Sequence, residues 1–170
     1  MKVVIADTSP LNYLILVDAV GVLRRLYGRV IIPDIVFREL TSEEAPKRVA
    51  GWAAMRPAWI EVQSAPLSED PSLQGLDAGE HAAILLADRQ KEVLLLMDDA
   101  SGRMEAAKRG IPTIGTLGVL RAASLQGFIA LPTILARLRA TNFRVSKHLV
   151  DELVAEYEQR TKAGGPTLGS

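Results

Sequence analysis

Two short runs, Val3-Val4-Ile5-Ala6 and Val93-Leu94-Leu95-Leu96-Met97, constrain this chain more than any other feature. Each is apolar at every position, so each reads as a strand buried on both faces. Each also ends abruptly in acid: Asp7, followed by Thr8, Ser9 and Pro10, and then the pair Asp98-Asp99. Val30-Ile31-Ile32 and Ile111-Pro112-Thr113-Ile114 read as further strands, and Trp59 to Val62 as a short edge strand. Helices are expected between them. Pro10 to Leu16 is one, a second is capped by Asp18 and stops at Gly28, and a third opens at Pro33 and carries Glu39. Lys47 to Met55 follows, then a helix with Asp77 as N-cap and Glu80 completing a capping box, then Ser101 to Arg109, a helix from Gly118 to Gln126, and Pro132 to Ala140. Strands alternating with helices at these spacings imply parallel pairing with right-handed crossovers. The expected fold is a doubly wound, three-layer α/β/α domain with a central, mostly parallel sheet of Rossmann-like topology.

A chain of 170 residues is most simply one domain, here 1-162. Ser64 to Gly75 is the most linker-like interior stretch and reads as a loop. Ser146 caps a last amphipathic helix, 147-162, expected to cover the core or to offer a dimer face. The Gly- and Pro-containing tail, 163-170, is expected to be disordered.

Composition then limits the chemistry. There is no cysteine and there are only two histidines, His81 and His148, so a metal would be held by oxygen, which favours magnesium or manganese. His81 reads as a surface or packing residue. No apolar run approaches the roughly 20 residues needed to cross a bilayer, and no secretion signal is visible, so a soluble, cytoplasmic protein is expected. Twenty basic and twenty acidic residues cancel, so attraction to nucleic acid requires a local basic patch.

In a doubly wound sheet the ligand crevice lies beyond the carboxyl ends of the strands, where strand order reverses. Asp7 and Asp98-Asp99 are at strand ends, and Glu39 and Glu80 lie where an inward side chain reaches the same edge. Each has a purely structural alternative: a helix cap for Asp7 and for one of Asp98 and Asp99, a capping box for Glu80, a solvated helix face for Glu39. Together they form a cluster whose mutual repulsion a divalent cation removes. Phosphodiester hydrolysis is the natural reaction of such an oxygen-only site.

Asp7-Thr8-Ser9-Pro10-Leu11, Pro33 to Leu40, Leu76-Asp77-Ala78-Gly79-Glu80, Leu96-Met97-Asp98-Asp99 and Gly115-Thr116-Leu117-Gly118 resemble, in order and spacing, a PIN domain. The resemblance spans about residues 3 to 130 and is nearest to the prokaryotic branch of toxin components of toxin–antitoxin pairs. It implies a metal-dependent ribonuclease acting on RNA, using magnesium or manganese, with a small antitoxin and a homodimer as partners. Asp7 then matches the first acid, Glu39 the second, Glu80 the third and the Asp98-Asp99 pair the fourth, with Asp99 the preferred ligand. The third position departs from the pattern, because many members carry aspartate there. Thr8 or Ser9 would orient the first carboxylate or the metal's water. For the substrate phosphate Arg103, one turn beyond Asp99, is the first candidate, followed by Lys47, Arg48 and Lys108. Two alternatives stand beside this reading: a catalytically inactive PIN-like module that binds RNA or protein, and a receiver-type switch domain. The receiver reading lacks the lysine it needs at a late strand end, where this chain has Gly115 and Thr116.

Overall fold

A computed structural model describes residues 2–66 and 68–164. Five strands, β1 (Val3–Ala6), β2 (Val30–Pro33), β3 (Ile60–Gln63), β4 (Val93–Leu96) and β5 (Thr113–Ile114), form one sheet in the order β3-β2-β1-β4-β5. All of its pairings are parallel, a step beyond the mostly parallel sheet expected. The chain runs outward from β1 through β2 to β3, then returns to the other side of β1 as β4. Order therefore reverses between β1 and β4, the two apolar runs that end in aspartate. Their register pairs Val3 with Val93 and Ala6 with Leu96, which brings Asp7 level with Met97 and one step short of Asp98.

The helices are α1 (Thr8–Leu16), α2 (Val22–Tyr27), α3 (Asp34–Thr41), α4 (Lys47–Ala54), α5 (Ala78–Asp88) and α6 (Ala100–Lys108), which lie in the connections between strands, and α7 (Thr116–Leu125), α8 (Leu131–Arg139) and α9 (Lys147–Lys162), which follow β5. Side chains alternate across the pleat, and this splits the interior in two. Val4, Ala6 and Leu96 face a core shared with α1, α2, α7, α8 and α9, while Ile5, Leu95 and Met97 face one shared with α5 and α6. The three-layer α/β/α arrangement is thus present. Val150 and Leu153 of α9 lie inside the first of these cores.

Two local expectations are corrected, and the expected interior loop gains detail. Helix α1 opens at Thr8, directly behind Asp7, and Pro10 falls in its first turn, where a missing N–H is no loss. Asp18 does not cap α2: the chain turns twice more before that helix begins at Val22, and Asp18 sits at φ 59°, its carboxylate 3.4 Å from Arg48. The linker-like stretch is anchored. It contains a short 3-10 turn, Pro71–Leu73, with Leu73 buried, and Arg109 grips Asp70 at 2.5 Å and Asp88 at 2.8 Å. Residues 163–164 form a turn after α9, and the rest of the expected disordered tail, 165–170, lies outside the described residues. Among the described residues no helix is long and apolar enough to cross a membrane.

Candidate functional site

Asp7 ends β1 in the N-cap position of α1 but makes no side-chain capping bond to it. It is only 4% exposed, and its Oδ1 has no hydrogen-bond partner among the described residues. A carboxylate withdrawn from water without a partner is strongly disfavoured. Burial pushes the Asp7 carboxyl up to about 8; the Thr8 backbone N–H opposes this, and the charges of Asp77, Glu80 and Glu39 add to it.

Helix α3 delivers Glu39 to the same place. The Thr8 hydroxyl donates to Glu39 Oε2, tying the first residue of α1 to α3. Gly79, in the first turn of α5, shows how close the groups are. A Cβ at that position would lie 2.9 Å from Glu39 Oε2 and 3.1 Å from Asp7 Oδ1, so a side chain there would enter the space between the two acids and α5.

Glu80 follows directly, and the capping box expected for it is present: its backbone N–H donates to Asp77 Oδ1 at 2.8 Å and its Oε2 accepts from the Asp77 N–H at 3.1 Å. Glu80 still belongs electrostatically to the cluster. Burial pushes its carboxyl up to about 7, the Asp77 backbone N–H opposes this, and the charges of Asp77 and Asp99 add to it.

The two acids after β4 divide their work. Asp99 caps α6, its Oδ2 accepting from the Gly102 N–H at 2.8 Å. Asp98 accepts from the Ser9 hydroxyl at 3.0 Å, and from the Thr116 backbone N–H and hydroxyl at 2.7 Å each. Neither hydroxyl is bonded to the first carboxylate, Asp7: Thr8 holds Glu39 and Ser9 holds Asp98. The reason is geometric. Opening α1 at Thr8 swings both hydroxyls outward along the sheet edge, one toward α3 and the other toward β4.

Arg103 lines a groove of about 980 Å³ together with Glu80, Asp98 and Asp99. A Cβ at Gly115 would lie 3.2 Å from Arg103 Nη1 and 2.8 Å from Asp98 Oδ1, so the absence of a side chain there leaves room for both. The other expected cations do not line this groove. Arg48 donates to the Leu16 carbonyl at 3.3 Å and faces Asp18, Lys108 pairs with Glu105 at 2.8 Å within α6, and Lys47 opens α4 on the exposed surface. His81 lines a separate depression with Asp34 and Arg38.

Some contributors were not singled out from the sequence as site residues. Asp77 was visible only as a cap, yet its charge acts on Asp7 and on Glu80. Thr116 was visible only as part of a glycine-flanked turn, and it is fully buried against Asp98. Tyr13, Asn142, Phe143 and Arg144 also line the groove, and no local pattern marks them.

Among the described residues no three acidic or histidine groups converge tightly enough, as they stand, to hold a metal ion. The chemistry of the donors nevertheless suits a hard divalent cation. They are all oxygen, and the buried Asp7 Oδ1 lacks the partner that a cation would provide. A family model described as a PIN domain matches residues 3–159. Comparison with curated proteins and with solved structures finds no match.

Proposed function

We propose, from the premise that the chain belongs to the PIN domain family, that it is a ribonuclease dependent on magnesium or manganese and the toxin of a toxin–antitoxin pair. The family match supports a nuclease-type fold. The observation that carries the finer reading is Asp7: a buried carboxyl at the sheet's switch point whose Oδ1 has no hydrogen-bond partner among the described residues, with Glu39 beside it and Asp77 and Glu80 raising its pKa. Asp7, Glu39 and Glu80 would hold the ion, with Asp99 as a further ligand and Asp98 behind it. Bound there, a divalent cation supplies charge neutralisation at the phosphate and acidity to a water molecule.

The chain's own groups do the rest. Thr8 fixes the rotamer of Glu39, and Ser9 with Thr116 keeps Asp98 in place. Asp99 stiffens the first turn of α6 and so positions Arg103, whose guanidinium is available to a phosphate oxygen. The unit is read as a single domain over 1-162 with α9 as part of its cover. A small antitoxin and a homodimer remain the partners that the toxin reading implies.

The test incubates purified protein with RNA and manganese beside the Asp7→Asn and Asp99→Asn variants. Loss of cleavage in Asp7→Asn supports the reading, and equal cleavage by all three overturns it. One observation favours the second reading, an inactive module that binds RNA or protein: Glu80 is already engaged in its capping box. Calorimetric titration separates the two, because a module without turnover needs no divalent-ion binding sensitive to Asp7→Asn.

A further inference from the structure

The groove beside Asp98 and Asp99 continues away from the acids, along a wall built by residues far apart in sequence. Tyr13 comes from α1, and Asn142, Phe143 and Arg144 come from the loop between α8 and α9. The Tyr13 hydroxyl donates to Asn142 Oδ1 at 2.8 Å. The Tyr13 and Phe143 rings meet edge to face, 4.8 Å apart at 76°. These two contacts pin the loop onto α1, so the wall is built in advance and not assembled on binding.

The groove also carries cations. On α6 and α7, Lys108 is matched to Glu105 and Arg121 to Glu156. Among the described residues neither Arg103 nor Arg144 has an ion pair, and both line this groove. Two guanidinium groups without an ion pair, a half-buried phenyl ring and an exposed amide nearby are the groups that grip a nucleotide: cations for phosphates, a ring for a base.

We propose that Tyr13, Asn142, Phe143 and Arg144 form a nucleotide subsite that holds one base of single-stranded RNA beside the acids, with Arg103 and Arg144 on its flanking phosphates. This deepens the ribonuclease reading and rests on it. A base reaches the Phe143 ring only when it is out of a duplex stack, so the subsite selects single strands. Asn142 Oδ1 is occupied by Tyr13, so its amide nitrogen is the half left for the base. The subsite therefore prefers a base edge that presents an acceptor.

The experiment measures binding of a fluorescein-labelled single-stranded RNA hexamer by anisotropy in EDTA, and its cleavage with manganese, for the full chain. Phe143→Leu keeps apolar packing and removes the ring, and Arg144→Ala removes the cation. Lys91→Ala, at the opposite edge of the sheet, controls for loss of charge. Each groove variant is expected to weaken binding about tenfold, as loss of one stacking or phosphate contact does. KM rises while kcat is kept, and Arg144→Ala leaves thermal unfolding unchanged and reduces the salt slope of binding by about 0.7. Groove variants that bind within twofold of an active wild type overturn the subsite and leave the ribonuclease reading standing. So does a duplex that competes as well as the single strand. A wild type that neither binds nor cleaves RNA overturns both.

Discussion

Asp7 is held where its charged form is least welcome, and that has a consequence for stability as well as for function. Its carboxyl is pushed from 3.8 to about 8, so between those values the folded chain keeps a proton that the unfolded chain has lost. In metal-free protein this group's contribution to stability is complete below about pH 4 and is lost as pH rises through about 8. Asp7→Asn removes the ionisable group and should raise metal-free stability at pH 8 by about 2 kcal/mol while abolishing cleavage. Urea unfolding at pH 5 and pH 8 checks this: the wild type loses more stability between them than the variant, which keeps only the smaller loss that the raised Glu80 carboxyl causes. Gly79 offers a separate test of the same spot. Alanine is the better helix former, but its methyl would press on Glu39 Oε2 and Asp7 Oδ1. Gly79→Ala should therefore keep the thermal midpoint while weakening manganese binding about tenfold by titration calorimetry, the scale of effect expected when a metal site's supporting shell is disturbed.

At the scale of elements, the site depends on where helices begin. Helix α1 starts one residue after β1, α5 starts on a capping box at Asp77 and α6 starts on Asp99, so three helix N-termini face one edge of the sheet. Their backbone N–H groups and dipoles favour negative charge there, which partly offsets the crowding of acids. The loop before α5 is secured by the clasp of Arg109 on Asp70, Asp88 and the Ser72 hydroxyl. Hydrogen bonds from Ser72 and Arg109 hold the Asp70 carboxyl down at about 2, so the clasp contributes above the ordinary value of 3.8 and is lost as pH falls through about 2. Hydrogen exchange in residues 68–75 is expected to rise between those pH values, ahead of exchange in the core strands. Arg109→Ala should show the same loosened loop at neutral pH.

For the whole molecule, helix α9 is the element whose sequence left its role open. Val150 and Leu153 lie in the core with α7 and α8, Arg121 pairs with Glu156 at 2.8 Å, and Arg160 donates to Ser124 at 2.6 Å. Leu153→Ala is expected to lower global stability by about 2 kcal/mol, the lower end for a buried leucine, because the site keeps a little solvent access. A single cooperative urea transition shifted to lower denaturant would show that α9 and the sheet unfold together. The net charge of zero also matters at this scale. With no global field, the RNA binding proposed above needs a local group of cations, and Arg103 and Arg144 in the groove are the pair it invokes.

The sequence by itself determined the strands, the parallel α/β architecture and the acids at the carboxyl edge. Apolar runs and capping residues are local patterns with a known period, and Asp77 with Glu80 formed the box their spacing predicts. Most strand and helix limits fall within a residue or two of the sequence reading for the same reason. Only the tertiary structure decided which hydroxyl serves which acid, since Thr8 meets Glu39 and Ser9 meets Asp98 across separations that no local pattern encodes. It likewise decided that Arg103 faces the groove while Arg48 and Lys108 are engaged elsewhere, and that Phe143 reaches Tyr13. Periodicity places a residue on a face, but what that face meets is set by the packing of elements distant in the chain. At Asp7 both levels act together: the sequence placed a carboxylate at a strand end, and the fold removed its water and brought Glu39 beside it.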